Sequence, residues 1–68
     1  MIKAKVREMT VLRISKGWSM NELARKSKVA PSTIVKMNQG KSVSAKTAKK
    51  IADALQVEVL EIFTILND

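Results

Sequence analysis

Apolar residues recur along the chain at spacings of three and four, in runs separated by residues that stop a helix. Such spacing puts side chains on one helical face. Ile2, Val6, Met9 and Leu12 predict a helix over most of Met1 to Lys16, ended by Gly17. Val11 and Ile14 lie off that face, widen the apolar arc and are placed to pack on the C-terminal segment. The alternation from Met1 to Val6 also permits a short strand or an extended arm. Met20, Leu23, Ala24 and Ser27 form the second run. Ser19 opens it with Glu22 three residues on, the pattern in which hydroxyl and carboxylate each bond the other's backbone amide. Ala24 is small enough for another helix to cross closely. After the break at Lys28-Val29-Ala30, Pro31 suits a first helical position, Ile34 and Met37 supply a buried side, and Gly40 suits the position past the end.

Ser44 begins a fourth helix, with Ala45, Ala48, Ile51, Ala52 and Leu55 on its inner face. Val57 enters the core, and Glu58 starts a fifth helix containing Val59, Leu60, Ile62, Phe63, Ile65 and Leu66. These six large apolar residues within eight positions exceed one buried helical face. Trp18 is placed to plug the core between the first two helices. The expected fold is all-α: five helices in one domain spanning 1–68, with a helix-turn-helix unit at about 19–40.

Charge sharpens this picture. Met1 to Trp18 carries five basic residues and one acid, Ser19 to Lys50 carries eight and one, and Ile51 to Asp68 carries four acids and no base. The positive field therefore coincides with the helix pair, and the acidic segment should face away from a polyanion. A phosphate backbone suits that polarity. The chain has neither cysteine nor histidine. Disulfides, thiolate zinc sites and the commonest general base are thus excluded. Six carboxylates, with no acid–base pair or nucleophile among the residues, make an enzyme the least favoured class. No cofactor, metal or small-molecule ligand is expected. No apolar run approaches membrane-spanning length, and no secretory core precedes Lys5, so a cytoplasmic location is the default.

Two short helices joined by a tight turn in a basic chain read as a helix-turn-helix. The segment resembles the Cro/cI-type, or XRE-type, DNA-binding family. The likeness rests on Gly17-Trp18-Ser19, Glu22-Leu23-Ala24, Val29, Ser32-Thr33-Ile34 and Gly40-Lys41, then Thr47-Ala48, Ile51-Ala52, Leu55 and Val57. It covers roughly residues 5 to 63. Three positions depart from the family pattern. Lys28 and Gln56 stand where glycine is frequent, Lys28 at a backbone cost of about 1 kcal/mol if its φ is positive. Ala30 stands at a cap position and has no side-chain oxygen.

The resemblance implies a fold like that of lambda repressor and a third helix that enters the major groove of double-stranded DNA. Its base-facing positions would be Pro31, Ser32, Val35 and Lys36. Lys36 can donate to guanine, Ser32 discriminates weakly, and Pro31 and Val35 offer only apolar contact. Phosphate contacts would come from Ser19, Met20, Asn21, Thr33, Asn38, Gln39 and Lys41. The implied function is a transcriptional regulator, a repressor of phage, mobile-element or chromosomal origin. An antitoxin with the same fold, binding its own operator, is the alternative; a long tail able to wrap a toxin would favour it, and none is expected here. So weak a base code expects two copies on adjacent half-sites, a homodimer formed in solution or only on DNA. Leu60, Phe63 and Leu66, three residues apart, are the candidate pairing strip.

Overall fold

The computed structural model describes residues 1–66. It contains β1 (Ile2–Ala4), α1 (Val6–Ser15), α2 (Met20–Ser27), α3 (Pro31–Asn38), α4 (Ala45–Leu55), α5 (Val59–Ile62) and β2 (Phe63–Ile65). α2 packs beside α3 and α4, and α5 beside α1 and α4. Their inward faces form one core. Met9 enters it from α1, Leu23 and Ala24 from α2, Ile34 and Met37 from α3, and Ala48, Ile51, Ala52 and Leu55 from α4. Ser27 is buried as well, its hydroxyl donating to the Leu23 carbonyl at 2.7 Å. Ala45, expected to face inward, is exposed. Three positions before Ala48 it lies about 60° around the helix from that residue, at the edge of the buried arc.

The helices begin and end by repeated local devices. Ser19 and Ser44 are extended caps whose hydroxyls accept from the amides of Glu22 and Thr47, each at 3.1 Å. The return half of the Ser19–Glu22 pattern gives way to an ion pair: the Glu22 carboxylate sits 3.6 Å from Arg25. The reciprocal pattern forms instead at α5, between Glu58 and Glu61. α1, α2, α3 and α4 each end on a residue of positive φ: Gly17 (73°), Lys28 (60°), Gly40 (90°) and Gln56 (61°). In each case the next residue's amide bonds a carbonyl five residues back, as Val29 does to Ala24 at 3.1 Å and Val57 to Ala52 at 3.0 Å. The chain then turns Trp18, Val29 and Val57 against the core. Trp18 is half-buried there, with the Lys16 and Lys26 ammoniums 5.5 and 5.7 Å from its ring centroid.

The two ends of the chain depart from the all-α expectation. The strand permitted by the alternation at Met1–Val6 forms, and β1 pairs antiparallel with β2 in the register Ile2↔Ile65, Lys3↔Thr64, Ala4↔Phe63. The fifth helix forms but stops before Phe63, Ile65 and Leu66, which were expected within it. α5 is four residues, and Phe63 leaves it with extended angles (φ −132°, ψ 148°). Ile2, Phe63, Thr64 and Ile65 favour a strand, and each segment satisfies the other's backbone groups. Val43 extends the pairing on the far side of β1 by donating to the Ile2 carbonyl at 2.8 Å.

This rearrangement corrects the pairing strip. Phe63 is fully buried (0% exposed), opposite Ala4, while Leu60 (63%) and Leu66 (42%) are open to solvent. The strand turns Phe63 inward, so the three residues share no exposed face. Val11 and Ile14 do not cover the C-terminal segment either. Both are exposed, because α1 turns Met9 and Leu12 to the core from its other side. Asp68, counted in the acidic segment, lies outside the described residues.

Candidate nucleic-acid interface

α3 is held from one side and open on the other. Ile34 and Met37 are fully buried, whereas Pro31, Ser32, Val35 and Lys36 are exposed. Successive residues of a helix step about 100° around its axis, so Ser32, Val35 and Lys36 share one solvent face, with Pro31 at its N-terminal end. The structure thus brings together all four residues expected to meet base edges.

Both ends of α3 are fixed by α2 and the flanking loops. Ala30 makes no side-chain cap, and its carbonyl receives the first helical bonds from Thr33 (3.0 Å) and Ile34 (3.2 Å). At the other end Gly40 donates to Met37 and Lys41 to Lys36, each at 3.1 Å. These bonds hold Lys41 at the C-terminal end of α3, with its side chain exposed. Gln39 is exposed beside it. Asn38 is half-buried, and its side-chain amide donates to the Met20 sulfur at 3.6 Å. That contact seats Met20, at the start of α2, against Asn38 at the end of α3. Met20 packs against the core and has only its backbone to offer a ligand. Thr33 is half-buried on the side of α3 between the core and the open face.

Asn21 lies elsewhere than its sequence neighbours suggest. It lines a surface cavity of about 340 Å³ between α2 and the start of α3, together with Arg25, Lys28 and Pro31. The sequence pattern assigned no DNA contact to Arg25 or Lys28; the available signal was the lysine at a position where glycine is frequent. The carboxylates gather at another corner, where Asp53, Glu58 and Glu61 line a cavity at the α4–α5 junction. Lys49 reaches Asp53 there at 3.1 Å. Among the described residues no group of carboxylates could hold a metal ion, and no helix is long and apolar enough to cross a membrane.

A family model described as helix-turn-helix matches residues 11–62. The chain belongs to the Cro/cI-type helix-turn-helix family. As a member, it is a DNA-binding regulator of XRE type whose partner is double-stranded DNA. The match runs from α1 through α5 and leaves β1 and β2 outside it. Comparison with curated proteins and with solved structures returned no match.

Proposed function

We propose that the protein is a sequence-specific repressor that lays α3 in the major groove of its operator. The observation that carries this is the open face of α3, where Ser32, Val35 and Lys36 stand exposed over the fully buried Ile34 and Met37. On DNA, Lys36 donates to guanine O6 and N7, Ser32 bonds a neighbouring base, and Pro31 and Val35 meet thymine methyl groups. Ser19, Met20, Asn21, Thr33, Asn38, Gln39 and Lys41 hold backbone phosphates, Met20 through its amide. With one strong donor among four base-facing residues, DNA shape supplies part of the preference. Two copies on half-sites about one helical turn apart give the remaining selectivity.

Selection of binding sites from random duplex DNA at several salt concentrations tests this. The expected result is a short enriched motif, present as two spaced copies, with affinity falling steeply as salt rises. Binding without any enriched motif would refute sequence-specific repression. An antitoxin would carry the same DNA face and repress its own operator too, so rescue of cell growth from a toxin encoded beside it, rather than repression, separates the two.

A further inference from the structure

The cavity beside the start of α3 is a cationic seat with an unusual backbone cost. It is about 340 Å³ in volume, and its polar lining is Asn21, Arg25 and Lys28, with no carboxylate. Ala24, Val29, Ala30 and Pro31 complete its wall, so it opens directly beside the face that Pro31 and Ser32 present. Arg25 is tethered only by an exposed ion pair to Glu22 at 3.6 Å, which competes weakly with a ligand. Lys28 is the position at which α2 stops, with φ 60° and ψ 35°. A glycine would adopt those angles without strain, and a lysine does not. Its backbone duties, donating to the Arg25 carbonyl and letting Val29 turn inward, need no side chain. The ammonium is thus the one part of Lys28 that the fold does not use.

We infer that Asn21, Arg25 and Lys28 form a phosphate seat for the DNA strand that faces the N-terminal end of α3. The inference rests on the DNA-binding role proposed above. That role already places Lys41 and Gln39 on phosphates at the other end of the helix. A seat at Arg25 and Lys28 clamps α3 at both ends and fixes how far Ser32 and Lys36 reach into the groove. A lysine that weakens the fold slightly is retained because it tightens this clamp.

Lys28→Gly tests this, because it moves stability and binding in opposite directions. The variant should melt roughly 4–8 °C higher, as expected for strain relief in a domain of this size. It should also bind every duplex about 5–10-fold more weakly at 0.1 M salt, with the slope of log K against log salt reduced by about one. Arg25→Ala should lower the slope similarly. Lys26→Ala is the control, since that ammonium lies over Trp18, and it should leave the slope unchanged. Higher stability with an unchanged slope in Lys28→Gly would overturn the seat while leaving DNA binding intact. Equal losses in all three variants would reduce it to a diffuse positive field and overturn it as well. No salt-dependent binding by the unaltered protein would instead remove the DNA-binding role, and the seat with it.

Discussion

Lys36 and Ser19 show how much a single side chain decides here. Lys36 immediately precedes the fully buried Met37, so its backbone is fixed while its ammonium is free to reach a base edge. Lys36→Ala should cost about 1–3 kcal/mol at one preferred base pair and relax the preference there. Competition binding against duplexes varied at each position reads this directly; an equal loss on random DNA would make Lys36 a phosphate contact. Ser19 has a structural duty as well, since its hydroxyl caps α2 through the Glu22 amide at 3.1 Å. Ser19→Ala should lower stability by about 1 kcal/mol, measured by thermal melting without DNA. Any loss of affinity beyond that predicted from unfolding then isolates its phosphate contact.

At the scale of the elements, α2, α3 and α4 were legible in the sequence because each has its own punctuation. Ser19, Pro31 and Ser44 mark the starts, and Lys28, Gly40 and Gln56 sit where the ends fall. The same legibility gave the open face of α3, because the buried pair Ile34 and Met37 leaves only one side for solvent. The ends of the chain were not legible for a different reason. Met1 to Val6 and Val59 to Leu66 are short apolar segments that suit either periodicity, and their structure depends on each other across the whole chain. No local signal tells Phe63 to leave the helix; Ala4 opposite it does. The cavity at Arg25 and Lys28 was equally hidden, because it depends on the angle at which α3 leaves α2. Gln56 offers an element-level check on the backbone argument. Its φ of 61° matches that of Lys28, but it lines the cavity that holds the carboxylates. Gln56→Gly should therefore raise the melting temperature by roughly 4–8 °C and leave DNA affinity unchanged. A drop in melting temperature would show that strain at these helix ends is not what the glycine relieves.

For the whole molecule, the strands that lie outside the family match bear on how two copies meet. Met1 and Leu66 exchange backbone bonds at 3.0 and 2.7 Å, and Lys5 donates to Ile62 at 2.8 Å. In an antiparallel pair such bonded positions alternate with positions whose N–H and C=O point the other way. Ile65, opposite Ile2, is one of the latter, so its backbone groups face away from β1. The other side of β1 is already occupied by Val43. The outer edge of β2 is therefore the open edge of the sheet. It carries no lysine, proline or bulge to guard it, and Leu60, Ile65 and Leu66 stand exposed around it. We expect a second copy of the chain to occupy it, since a two-fold axis would set β2 antiparallel against its own image with matching donors and acceptors. Lys3 stands opposite Thr64 in this sheet, and the Lys5 ammonium donates to the Leu60 carbonyl at 3.2 Å. We expect sedimentation to show two chains per operator duplex, with Ile65→Pro reducing this to one while each chain still folds and binds a single half-site weakly. Leu60→Asp should act in the same direction. Two-chain binding that survives Ile65→Pro in a folded protein would rule out the β2 edge and leave the exposed Val11 and Ile14 of α1 as the surface to examine.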